Sequence, residues 1–183
     1  MNFTTQMDEP GDFKIIHTIK EDLHNIFWLF EQAMKLQGKN GYKVWKKIDK
    51  IALEKDIENG LQFKIVQGKD IICVFSVQYN DPFIWRKRDK NDAIYLHRIV
   101  VNPVFKGQKQ FEKVLAWAKY YAQSNNLKYV RMDTWADNEK IIDYYKSFGF
   151  AFIENYRTPN TPELPIQNRN LKVALLEIGL IDK

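Results

Sequence analysis

Apolar and polar positions alternate over residues 13–19, which predicts a first strand, and the period then lengthens. Leu23, Ile26, Phe27, Phe30 and Met34 recur at helical spacing behind Asp22, a residue type that caps helices. A second helical pattern, Val44, Ile48, Ile51 and Ala52, follows Gly41 and is expected to end near Gly60. Residues 61–67 and 71–79 flank the polar pair Gly68-Lys69 as the arms of a hairpin, and the second arm, apolar on both faces, is expected to be a central strand. Residues 93–101 read as another strand, stopping at Asn102-Pro103. The helical period returns with Phe111, Val114, Leu115, Ala118 and Ala122. Residues 129–133 then predict a strand, 138–148 a short helix ending at Gly149, and 150–156 and 171–178 the last strands, joined by a proline-bearing loop over 158–170. A strand, helix, strand crossover in the second half implies a locally parallel pair, so the expected class is mixed α/β around one sheet.

Composition narrows this picture without changing it. The 183 residues are 45% hydrophobic and 28% charged, which is globular composition, and the length suits one domain. The longest apolar run, IICVFSV at 71–77, is far short of the ~20 residues that cross a bilayer, and the polar start MNFTTQMDEPGD has no signal-peptide core. The expected location is therefore cytoplasmic, with no membrane partner. Cys73 is the only cysteine and sits inside that apolar run, so no disulfide framework and no cysteine-rich metal site is expected. The net charge of +5 is compatible with an anionic partner and equally with ordinary solubility.

Two stretches carry chemistry. The first is RMDTWADNEKIIDYYKSFGF at 131–150, in which Asn138 opens a helix and Tyr145, two turns on, lies on about the same face. Either residue taken singly reads more simply as a helix cap or a core position. The second is IVVNPVFKGQKQF at 99–111, a strand leading into a basic loop and then a helix. The first turn of a helix has unsatisfied N–H donors and positive partial charge, which suit a diphosphate. Gly107 lets the backbone approach closely, and Lys106 and Lys109 add charge.

Together with the order of elements over about 13–182 of the single domain 1–183, these stretches resemble the GNAT superfamily of acyl-CoA-dependent N-acetyltransferases. The resemblance rests on an asparagine after the fifth strand, a tyrosine four residues before the glycine of a terminal Gly-Phe pair, and the basic glycine-containing loop. It implies a twisted, mostly antiparallel sheet of about seven strands with a parallel splayed pair in the middle and about four helices. It also implies acetyl-CoA as co-substrate, no metal, and the primary amine of a small molecule or peptide as acceptor, in a monomer or homodimer.

By the same resemblance, Ile99, Val100 and Val101 would pair with the pantetheine arm and supply an oxyanion donor, while Lys106, Gly107, Gln108, Lys109, Gln110 and Phe111 would cradle the diphosphate. Asn138 and Tyr145 would complete the cofactor site. The family pattern places small residues where this chain has Lys109 and Phe111, neither of them small. Tyr145 is the expected general acid, since a phenol of ordinary pKa ~10 is protonated at neutral pH, and Tyr144 is the alternative. His97 is the candidate base, sharing the alternating strand face of Ile99, with a water chain as the other possibility. Asp133 and Trp135 are expected to line the acceptor pocket, with Glu31 and its helix nearby. Two readings of other classes compete: a fold-only module that does not turn over acetyl-CoA, and a nucleic-acid surface built from Phe83, Trp85, Arg86, Lys87 and Arg88, which Asp81, Asp89 and Asp92 dilute.

Overall fold

A computed structural model of the chain describes residues 13–41, 44–45 and 47–180. The polar start at 1–12 and the end of the expected core at 181–182 lie outside the described residues. The strands are β1 (Phe13–His17), β2 (Gln62–Gln67), β3 (Asp70–Gln78), β4 (Ala93–Val101), β5 (Tyr129–Trp135), β6 (Ala151–Arg157) and β7 (Lys172–Gly179). The α-helices among the described residues are α1 (Leu23–Lys39), α2 (Lys50–Glu58), α3 (Pro82–Trp85), α4 (Gln110–Ser124) and α5 (Glu139–Lys146). No helix among them is long and apolar enough to cross a membrane.

The seven strands form one sheet in the order β1-β2-β3-β4-β5-β7-β6. β1 with β2, β2 with β3, β5 with β7 and β6 with β7 are antiparallel; β4 and β5 are the parallel pair. The parallel register runs from Ala93↔Tyr129 to Leu96↔Met132 and ends there, while β5 continues to pair with β7 through Trp135↔Val173. The mixed class and the parallel pair agree with the sequence pattern, as does the hairpin at Gly68-Lys69, closed between Gln67 and Asp70. β3 is buried from Ile72 through Val77, as its two-faced apolar pattern requires.

Three local expectations are corrected. Asp22 does not cap α1 with its side chain; the carboxylate accepts from the Ile19 N–H at 2.8 Å and pairs with Lys64 at 2.6 Å. The second helix begins at Lys50 rather than Val44, and residues 42, 43 and 46 of that stretch lie outside the described residues. Just before it, Asp49 is tied to distant chain, its N–H donating to Gln167 Oε1 at 3.0 Å and its carboxylate accepting from the Ile166 N–H at 3.2 Å. The polar loop after β3 is not purely loop: it contains the short helix α3, which brings the α-helices among the described residues to five, in keeping with the expected number of about four. Pro82 at its first position explains the start, because the ring fixes helical φ where the missing N–H costs nothing.

The chain packs as two compact units, the described parts of Met1–Val44, Lys50–Val77 and Arg98–Val114 in one and of Trp45–Asp49, Gln78–His97 and Leu115–Lys183 in the other. In the first, Ile26, Leu29 and Phe30 of α1, Leu53 of α2 and Phe63, Ile65 and Ile72 of the strands are buried. Each such side chain contributes about 1.5–3 kcal/mol relative to exposure. In the second, Ile84, Trp85, Ala93, Tyr95, Leu164, Val173 and Leu175 form a core to which α3 contributes two members.

Candidate active site

In the first unit, β4 runs into a turn whose geometry bears on the expected diphosphate site. Asn102 accepts from the Val104 N–H at 3.1 Å and donates to the Ile71 carbonyl at 2.9 Å, which fixes the strand end and the 3-10 turn Pro103–Phe105. Gly107 and Lys109 then both take left-handed backbone, at φ 83° and 58°, before α4 begins at Gln110. The bulk that departs from the family pattern is thus absorbed in two ways. Lys109 adopts at a strain cost a conformation glycine takes freely, and Phe111 turns its ring into the core. Lys106, Gly107, Gln108 and Lys109 are exposed, with Lys109 3.4 Å from Glu112. The Gln110 side chain is buried and donates back to the Phe105 carbonyl, so of this residue only the backbone is left to meet a ligand at the helix start.

β4 itself is interrupted. Arg98, in mid-strand, has φ 48°, a left-handed residue where alternation would require extended backbone. Its guanidinium is nearly buried, ion-paired with Asp56 of α2 and donating to Ser76 Oγ at 3.0 Å. The expectation that His97 and Ile99 share a face assumed unbroken alternation, and Arg98 lies between them; that reasoning does not carry across the kink. Val100 is buried, leaving its backbone as the part able to meet a ligand.

In the second unit, the β4–β5 register ends at Leu96↔Met132, and the next residues on each strand, His97 and Asp133, approach through their side chains. His97 Nδ1 lies 3.6 Å from Asp133 Oδ1, and His97 Nε2 lies 3.4 Å from Asp81 Oδ2. Only 11%, 15% and 8% of the His97, Asp133 and Asp81 side chains is exposed. Burial opposes a charge on His97, but the hydrogen bond and charge of Asp81 and the charge of Asp133 outweigh it and hold the imidazole pKa above its ordinary value. Burial, with the like charge of Asp81, pushes the Asp133 carboxyl up to about 6, against the opposing pull of His97.

These side chains have the donor types of a metal site, with all three ligand atoms within 4.8 Å of one another. No metal-ligand spacing is present in the sequence, and it is folding that gathers them. One carboxylate facing each ring nitrogen suits a doubly hydrogen-bonded imidazole better than a single ion, because one ring cannot direct both nitrogens at the same point. The sequence singles out His97 as a candidate base and Asp133 as a lining residue of the acceptor pocket, and the fold brings the two side chains together with Asp81, which the sequence does not single out. The available signal was the Asp81-Pro82 pair, which marks a helix start. Asp81 occupies the N-cap position of α3 yet makes no side-chain cap bond, its carboxylate facing His97 instead. Trp135, two residues beyond Asp133, shares its strand face and is partly buried.

Asn138 is the N-cap of α5, its side-chain oxygen accepting from the Ile141 N–H at 3.2 Å. That oxygen is committed to the helix, so the cofactor expectation for Asn138 rests on its amide nitrogen. Tyr145 is partly buried with its ring edge-on to Phe150 at 6.3 Å, whereas Tyr144 is exposed. α5 ends as its glycine requires, with Gly149 at φ 95°. Of the basic and aromatic cluster after β3, Trp85 is fully buried, while Phe83, Arg86, Lys87 and Arg88 are exposed; Arg86 stacks on Tyr156 at 4.0 Å, and Arg86 and Arg88 both face Glu154.

Residues 21–150 match the family described as the acetyltransferase (GNAT) family. Over 143 residues the chain is 24% identical to an uncharacterized N-acetyltransferase, YesJ, of Bacillus subtilis strain 168, covering 74% of this chain and 79% of that one. The fold is similar to a GNAT-family acetyltransferase of Listeria monocytogenes, with TM-score 0.76 and 19% identity over 92% of this chain and 95% of the other. It is also similar to the spermidine N-acetyltransferase of Vibrio cholerae, a structure solved in complex with CoA and spermine, with TM-score 0.61 and 15% identity over 92% and 95%. A match over more than half its length, on a sheet with the parallel pair where the resemblance requires it, places this chain in the acetyltransferase (GNAT) family.

Proposed function

We propose that the protein transfers an acetyl group from acetyl-CoA to the primary amine of a small molecule or peptide by direct attack, with His97 as base and Tyr145 as acid. The observation that carries the reading is the near-buried His97 held between Asp81 and Asp133 where the β4–β5 register ends. A buried imidazole flanked by two carboxylates can take a proton from the attacking amine, and the cluster's negative charge favours an acceptor bearing positive charge over a neutral one.

The residues around Gly107 fit the diphosphate of the co-substrate. Left-handed turns at Gly107 and Lys109 lead into the first turn of α4, where N–H groups lack intrahelical partners, and Lys106 adds positive charge. Acetyl-CoA supplies the activated thioester. His97 takes the N–H proton as the amine nitrogen bonds to the carbonyl carbon, and the phenol of Tyr145 protonates the departing thiolate as the C–S bond breaks. The products are an N-acetyl amine and free CoA, with protons and electrons balanced. With its pKa raised, His97 gains base strength but is neutral only toward the alkaline side, so turnover should climb as pH rises through that pKa.

The reading is tested by calorimetry with acetyl-CoA and by thiol release against a panel of amines. Binding is expected, and Tyr145→Phe should lower kcat by about 100-fold or more with acetyl-CoA affinity unchanged. A fully active Tyr145→Phe would remove that residue from the acid role, and no binding at millimolar acetyl-CoA would leave the fold-only module standing.

A further inference from the structure

Asp81 has a problem that its neighbours solve. Its carboxylate is nearly buried, and Oδ2 faces His97 Nε2 at 3.4 Å, with no second hydrogen-bond donor to that oxygen among the described residues. A buried, underpaired carboxylate is costly, so a mobile loop would relax and carry it away from the imidazole. The loop is instead cinched at its base: Asp89 Oδ2 accepts from the Asp81 N–H at 2.9 Å. The other oxygen of Asp89 accepts from the Tyr95 phenol at 2.8 Å. Burial, reinforced by the hydrogen bond to Asp89, pushes the Tyr95 pKa above its ordinary value and keeps that donor protonated.

Tyr95 is anchored in turn. Arg131 Nη1 donates to the Tyr95 oxygen at 3.0 Å and to the Arg88 carbonyl at 2.8 Å, so it grips the residue next to Asp89 as well. Arg131 Nε donates to Glu177 at 2.7 Å, and its guanidinium lies 4.5 Å from the Tyr129 ring and 4.8 Å from the Trp85 ring. Tyr95 and Arg131 are register partners on β4 and β5, so the anchor is built on paired strands.

We propose that Asp89 is a positioning residue for the transfer reaction, fixing the Asp81 carboxylate against His97 through the Asp81 backbone, with Tyr95 and Arg131 holding Asp89 in place. This rests on the reading of His97 as base. The charges acting on the imidazole are those of Asp81, from the residue before α3, and Asp133, from β5; Asp89 is not among them. An effect of Asp89 on His97 therefore passes through Asp81.

The test follows the His97 imidazole by NMR pH titration in the full chain, alongside the pH profile of kcat and the KM for acetyl-CoA. Asp81→Asn should lower the His97 midpoint by about one pH unit. Asp89→Asn and Tyr95→Phe should each lower it in the same direction by less, with KM for acetyl-CoA unchanged and the alkaline rise in kcat moving with the imidazole. If Asp81→Asn moves the midpoint while Asp89→Asn and Tyr95→Phe, both folded by amide dispersion, leave it where it was, the positioning role is overturned and the base reading stands. If the imidazole moves in all three variants but the kcat profile follows in none, the base reading fails and the positioning of His97 stands.

Discussion

At the scale of single residues, the site depends on where protons reside. His97 and Asp133 both bind a proton more tightly in the folded chain than their ordinary values imply. For each, the folded state is favoured on the acid side and loses that advantage as pH rises through the folded pKa. For Asp133 the window runs from its ordinary 3.8 to about 6. Asp133→Asn removes the ionisable group, so its melting temperature relative to the native chain should rise between about pH 4 and about pH 7, measured by thermal unfolding across that range. A constant difference across the window would mean that Asp133 is not desolvated as its surroundings require. Both residues stand out in the sequence, one as a histidine on a strand and one as a strand-end carboxylate. Asp81 does not, since Asp-Pro before a short helix reads as a cap, and only the fold shows its carboxylate directed elsewhere.

At the scale of elements, periodicity located most strands and helices because burial imposes it: β3 is apolar on both faces, and α4 carries its apolar face on Val114, Leu115 and Ala118. It failed where structure depends on distant contacts. α2 starts late, after the ties of Asp49 to Ile166 and Gln167, and the kink of β4 at Arg98 has no local signature at all. An ion pair with Asp56, 42 positions away, accompanies that kink. The loop before α4 gives an element-level prediction. Lys109 is held at φ 58° and makes only an exposed pair with Glu112, so Lys109→Gly should stabilise the chain by about 0.5–1 kcal/mol in chemical denaturation. The relief of left-handed strain is offset in part by the greater freedom of glycine when unfolded. A destabilised variant would show that the lysine side chain contributes to the fold.

At the scale of the whole molecule, the proposed co-substrate would link binding to folding. If acetyl-CoA binds only the folded chain, then at 100 times its dissociation constant it should add about 2.7 kcal/mol to stability, read as a concentration-dependent rise in melting temperature. CoA lacking the diphosphate should give less of that rise if the loop at Gly107 receives it, and an equal rise would move the anion elsewhere. The sequence by itself determined the class of fold and the family and put Tyr145 forward as the proposed acid, because these rest on periodicity and on residues close together in the chain, such as Asn138 and Tyr145. Only the tertiary structure decided the surroundings of His97, the proposed base. Asp81, His97 and Asp133 come from a loop and two strands and meet where one register ends, and the strut that holds them reaches from Asp89 through Tyr95 and Arg131 to Glu177. A low-dielectric cluster is made by which side chains fold together away from water, and no local pattern along the chain encodes that.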